Sequence, residues 1–167
     1  MQIALILALL AIPMASLADD TVAGLWLSDS SVLEVRVDGD ALTGTVVAIR
    51  DPFYGPGETG AEGAPRLDDE NPDPALRTRP VVGLSILLDF AWDGRRWQGR
   101  IYDPESGNTY QSRLKVNGDG ELEIRGYIGS PMFGRTAIFE PASDCPEAAA
   151  LMLAKSAVDD VCPVAAD

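Results

Sequence analysis

From Ala23 onward the chain consists of short runs in which apolar and polar residues alternate, each closed by Gly, Asp or Asn. Alternation with a period of two puts successive side chains on opposite faces of a strand, so the pattern predicts half-buried sheet. Gly24 to Leu27 opens the series. In Val32 to Val37 the residues Leu33, Val35 and Val37 share one face, with Glu34 and Arg36 on the other. Asp38-Gly39-Asp40 turns the chain into Leu42 to Ile49, and the Asp-Gly pair predicts a hairpin. Further strands are predicted over Val81 to Trp92, Trp97 to Tyr102, Tyr110 to Val116, Leu122 to Ile128 and Arg135 to Phe139. Successive antiparallel strands of this number close most simply into an eight-stranded up-and-down barrel, which leaves no open edge.

Two stretches break the rhythm. Residues 50–80 are rich in Pro, Gly, Asp and Glu and lack apolar periodicity, and a connection of that length in a compact domain is generally functional or disordered. From Ser143 the pattern turns helical. Asp144 with Glu147 three residues on reads as a helix start, and Ala148 to Ala154 are strong helix formers. This tail holds both cysteines, Cys145 and Cys162. One continuous helix would separate them by about 25 Å, whereas a disulfide needs Cα atoms within about 7 Å. Ser156 followed by Asp159 reads as a second helix start, and two short helices folded back would allow the bridge. Free thiols or an intermolecular bond are the alternatives.

The opening MQIALILALLAIPMASLA sets the compartment. An almost unbroken apolar run ends in small residues, with Ser16 and Ala18 three residues and one residue before an expected cut ahead of Asp19. At about 18 residues the run is marginal for a membrane span, and Pro13 falls late in it. The expected organisation is a signal peptide over 1–18, a β-barrel domain over 19–141 and a helical, Cys-containing tail over 142–167. The mature protein is then periplasmic or secreted, where a disulfide can form and persist.

The formal charge is −13 over 167 residues, and the leader carries no charged side chain. Such a surface repels nucleic acid and anionic headgroups, so no nucleic-acid partner and no stable membrane insertion after cleavage are expected. Histidine is absent from the sequence. That removes Ser-His-Asp and Cys-His nucleophilic machinery and His-ligated zinc, and two cysteines cannot build a Cys₄ site. The acidic cluster Asp68, Asp69, Glu70 and Asp73 lacks the spacing and central Gly of a calcium loop. Asp103 and Glu105 sit in an ordinary turn composition. No catalytic residue, cofactor or metal is expected, and the chain is read as a non-enzyme.

Two groups of residues carry the remaining chemistry. Arg100 and Tyr102, Gln111 and Arg113, and Glu123, Arg125 and Tyr127 fall on one strand face, opposite Ile101, Leu114, Val116, Leu122, Ile124 and Ile128. The polar face is either a lumen or groove binding an anionic ligand, or a solvated outer surface laced by cross-strand pairs. Arg77 and Arg79 suit carboxylate or phosphate recognition, unless the nearby acids simply pair with them. The candidate ligand-binding set is therefore Arg77, Arg79, Arg100, Tyr102, Arg125 and Tyr127.

Asn71 to Leu84 (NPDPALRTRPVVGL), Gly99 to Tyr110 (GRIYDPESGNTY) and Arg125 to Thr136 (RGYIGSPMFGRT) resemble, in content and order, the bacterial domain-of-unknown-function family 2147 (DUF2147). The resemblance runs over roughly Ala23 to Pro141. It implies a small, mostly exported protein and brings no activity with it. Phe53 to Arg66 is longer and more Gly-rich than is usual there, and the Cys-bearing tail looks like an addition. A second resemblance is to lipocalins. Gly24-Leu25-Trp26, with Arg135 on the last strand, resembles the arrangement in which a Trp ring closes one barrel end beneath a stacked guanidinium. This implies a structural role for Trp26 and Arg135. The expectation is an all-β, lipocalin-like barrel with a short helical tail. It either binds a small anionic or amphipathic molecule in a mouth gated by the long loop, or is a filled, ligand-free structural or interaction protein of the envelope. N-terminal sequencing of protein recovered from a periplasmic fraction is expected to read from Asp19; retention of Met1 in membranes would refute the leader.

Overall fold

The structure, a computed structural model, describes residues 18–158 and residue 161. The expected leader up to residue 17 and Cys162, the expected partner of Cys145, lie outside the described residues. The strands are β1 (Gly24–Leu27), β2 (Ser31–Asp38), β3 (Ala41–Ile49), β4 (Ser85–Trp92), β5 (Trp97–Asp103), β6 (Asn108–Val116), β7 (Leu122–Tyr127) and β8 (Arg135–Pro141). Each pairs antiparallel with the next, and β8 returns to β1, so the sheet is a closed up-and-down barrel. A helix, α1 (Glu147–Lys155), follows. β4 begins later than its apolar run, because Val81 and Gly83 spend their amides on the carbonyls of Arg66 and Val46.

Alternation decides what the barrel holds. The inward residues Leu33, Val35, Leu42, Leu87, Phe90, Trp97, Leu114, Leu122, Ile124 and Phe139 form one cluster with Trp26. Two bulky members rest on glycines. Leu87 faces Gly44 in register, and Phe90 lies against Gly99, where a Cβ would come within 2.7 Å of the Phe90 Cα. One end is plugged by a 3₁₀ turn over Asp20–Val22, capped by the Asp19 carboxylate, which accepts from Thr21 N at 3.1 Å. Val22 is fully buried, and its carbonyl accepts Trp26 Nε1 at 2.9 Å. The Asp19 carbonyl accepts Trp97 Nε1, also at 2.9 Å.

This geometry corrects the expected pairing of Trp26 with Arg135. Trp26 stands in register with Pro141 at the end of β8, whereas Arg135 starts that strand opposite Gly126. At roughly 3.3 Å per residue the two are about 20 Å apart. The Trp26 ring is satisfied by the Val22 carbonyl and apolar neighbours, and Arg135 belongs to the opposite, open end.

Outside the barrel, Ala149, Met152 and Leu153 of α1 cover Val32 and Ala48 of β2 and β3. The helix starts later than its composition predicts. Asp144 does not cap it: Cys145 takes a positive φ of 52°, and the N-cap is Pro146, without a side-chain bond. Ser156 ends the helix, and its Oγ accepts from Ile49 N at 3.3 Å. The second helix expected after it falls largely outside the described residues. Gly99→Ala is expected to destabilise the fold by about 1–3 kcal/mol through overpacking against Phe90, measured by thermal melting; an unchanged melt would refute the contact.

Candidate functional site

The six candidate residues are not gathered into one cavity. Ile101, Leu114 and Ile124 of β5–β7 pack inside the barrel, so alternation sends Arg100, Tyr102, Arg113 and Arg125 outward. Arg100 is held by the Asp89 carboxylate, with Nε donating at 3.1 Å. Lys115 and Glu123 make a cross-strand pair at 2.7 Å. Arg125 Nε donates to the Pro131 carbonyl at 2.7 Å and Nη1 to Thr136 Oγ1 at 2.8 Å, which fastens the β7–β8 turn. The Arg113 guanidinium lies 5.6 Å from the Tyr127 ring centroid. Of the six, Tyr127 lines one of the two hollows at the open end, and the other five line neither. The polar face is therefore the outer face, laced by cross-strand pairs.

The long connection owes its order to a buried carboxylate. Asp68 has no exposed surface. Its Oδ1 accepts the Tyr102 hydroxyl, and its Oδ2 accepts Asn71 Nδ2 and Arg79 Nη2, each at 2.7 Å. Asn71 Nδ2 also donates to Tyr102 Oη at 3.0 Å, and Asp68 N donates to the Arg79 carbonyl at 2.9 Å. Burying a charge without such partners would cost several kcal/mol. The segment therefore folds down onto β5, where Tyr102 stands. Arg79 thus holds the loop's own acid, and Arg77 Nε donates to the Asn71 carbonyl at 2.7 Å. Burial, then the bond to Asp68, pushes the Tyr102 hydroxyl up to about 12. A parallel contact joins the Tyr54 hydroxyl to Asp69, and burial likewise raises the Tyr54 pKa.

At the open end, two hollows share Asp103. The first, about 540 Å³, lies among Ser31, Val46, Tyr54, Leu67 and the β5–β6 turn. Its charges are Asp51, Asp69, Glu70, Asp103 and Glu105 against Arg50 and Arg66, and Arg66 is already engaged by Glu58 at 2.8 Å. The second, about 610 Å³, is walled by Ile101, Tyr110, Ile124, Ile128, Phe133 and Ala137, with Arg135 among them. Among the described residues Arg135 makes no side-chain hydrogen bond or ion pair. Deeper in the barrel, the fully buried Ser112 stands in register between Gly99 and Gly126, and its hydroxyl has no partner among the described residues. Reading the sequence as a Trp–Arg motif missed the lumenal place of Arg135. Counting back by twos from Phe139 through Ala137 would have found it.

The family model described as an uncharacterised protein conserved in bacteria, DUF2147, matches residues 24–140. No curated protein matches the chain. A solved structure of a Helicobacter pylori protein, described as belonging to the lipocalin family, is 24% identical and superposes with a TM-score of 0.58, covering 74% of this chain and 84% of that one. At that identity the likeness is one of fold, and the lipocalin-like barrel expected from the sequence is the fold observed.

The Asp68 cluster can be tested directly. Tyr102→Phe is expected to cost about 1–3 kcal/mol, because a buried acceptor loses its donor, and to speed proteolysis within residues 50–80. Tyr102 ionises later when folded than when unfolded. Its contribution to stability is therefore complete below about pH 10 and is lost as the pH rises from there through about 12. An absorbance titration should show a tyrosine ionising last that disappears in Tyr102→Phe.

Proposed function

For a chain that belongs to the bacterial family DUF2147, whose description names no activity, we propose a non-enzymatic binding role in which the barrel mouth holds one small amphipathic molecule with an anionic head. The observation that carries this reading is Arg135, a cation with no ion pair among the described residues, on the wall of a largely apolar hollow whose one carboxylate, Asp103, is engaged by Ser106 and the Glu105 amide. An eight-stranded barrel has room for one small ligand, and pockets of roughly 300–1,000 Å³ suit such molecules. Both hollows, about 540 and 610 Å³, fall in that range. The plugged half is filled by the apolar cluster, so the ligand is short. Its apolar part lies along Ile101, Ile124 and Ala137. The acids gathered in the adjoining hollow, with Asp103 on the shared wall, repel an anion, which leaves the side of Arg135 away from them for the head.

The proposal includes export after a cut ahead of Asp19 and a bridge between Cys145 and Cys162. The apolar leader and the cysteine pair in the tail support it. A ligand-free structural role is the second reading, and the filled half of the barrel favours it.

Native mass spectrometry of the purified mature protein, paired with titration of a fluorescent short-chain fatty acid, tests the proposal. Arg135→Gln is expected to weaken probe binding about tenfold or more, the worth of a charge-assisted hydrogen bond, with little change in melting temperature. A parent protein with no bound adduct and no probe uptake would leave the ligand-free reading standing.

A further inference from the structure

The β7–β8 connection carries three strongly exposed large apolar side chains, Ile128 at 76%, Met132 at 79% and Phe133 at 81%. Clustered exposure of this kind marks an interaction surface more often than chance. The connection is built to hold them outward. Ser130 caps a 3₁₀ turn over Pro131–Phe133, Phe133 N donates to the Ser130 carbonyl at 3.1 Å, and Arg125 fastens Pro131 from the strand below. The local charge also departs from that of the whole molecule. Ile124 to Phe139 contain two arginines and no acid, in a chain of net −13. Asp103, which shares the second hollow with Arg135, is engaged by Ser106 Oγ at 2.6 Å and Glu105 N at 3.0 Å. Charges beyond about 8 Å are screened at physiological ionic strength. The acids of the adjoining hollow sit on the side of the long connection and the β5–β6 turn, so the positive sign is that of the β7–β8 tip, where Arg125 and Arg135 outnumber Asp103, and not of the whole mouth.

Protruding Ile, Met and Phe beside guanidinium groups match the boundary between headgroups and acyl chains of an anionic lipid layer. We propose that this tip docks reversibly on a lipid surface, with Ile128, Met132 and Phe133 entering the interface and Arg125 and Arg135 facing anionic headgroups. A partner adding a strand has no purchase, because the barrel is closed. Ile128, Phe133 and Arg135 also wall the apolar hollow, so docking brings the mouth against a source of amphipathic molecules. The docking stands independently of whether a ligand enters.

The test is cosedimentation of the mature protein with vesicles of phosphatidylcholine containing phosphatidylglycerol, with fatty-acid probe uptake measured on the same samples. The parent is expected to sediment with the vesicles, less so in high salt. The double variant Ile128→Ser, Phe133→Ser is expected to lose about tenfold or more in vesicle affinity with an unchanged melting temperature. Phe133→Trp should give a blue-shifted emission, quenched by brominated lipid, on vesicle addition. Vesicle binding without probe uptake upholds the docking and removes the ligand reading. A parent that stays in the supernatant, or a double variant that binds as well as the parent, overturns the docking. So does a parent that dimerises through the tip without vesicle affinity.

Discussion

Closing a hydrogen-bonded ladder on itself leaves each strand residue two directions, into the lumen or out of it, and the character of this molecule follows from that division. Ile101, Leu114, Leu122 and Ile124 take the inside, and their neighbours Arg100, Arg113 and Arg125 are committed to the outside by a single step of the chain. The inside is then divided again along the barrel axis. The Asp20–Val22 turn, Trp26 and Trp97 fill one end, bulky residues seated on Gly44 and Gly99 fill the middle, and what remains open is the far end, bordered by the long connection and the β7–β8 turn.

In an acid-rich chain the positive groups are the scarce resource, and their disposition is informative. Arg66, Arg79, Arg100 and Lys115 each hold a carboxylate, and Arg125 holds backbone and hydroxyl oxygens of the adjoining turn. The Asp68 cluster shows how strongly burial can enforce such pairing, because a carboxylate with no exposed surface recruits donors from β5 and from Asn71 and Arg79 of its own connection. Against that background, Arg135 stands out, because the one carboxylate lining its cavity, Asp103, is turned to Ser106 and the Glu105 amide and makes no ion pair with it among the described residues.

The sequence was most legible where the signal is local. Alternation marked all eight strands and their order, helped by Asp-Gly or Asn-Gly pairs in the β2–β3, β4–β5 and β6–β7 turns, each written within one short stretch. Which face of β5–β7 was the interior was not legible, because alternation is symmetric until closure gives it a sense. The Asp68–Tyr102 bond joins residues far apart in the chain, with no periodicity to announce it. Trp26 and Arg135 looked like partners because a motif names residue types, and only the register of β1 with β8 shows that a whole strand lies between them. At the tail, helix-forming composition was read correctly from Ala148, whereas the cap was misread because the backbone at Cys145 turns through a positive φ.

The plug has an orientational consequence. Ala18 packs against the inner cluster at the closed end, and the Asp19 carbonyl is tied there to Trp97. A chain still carrying its leader would therefore be tethered by its base, with the mouth pointing away from the membrane that held it. Under the proposed export, a cut behind Ala18 would leave the barrel free to turn over, so that the face proposed for docking at its other end could meet the same bilayer. Cleavage, on that proposal, would do more than release the molecule, because it would reverse which pole can approach the lipid.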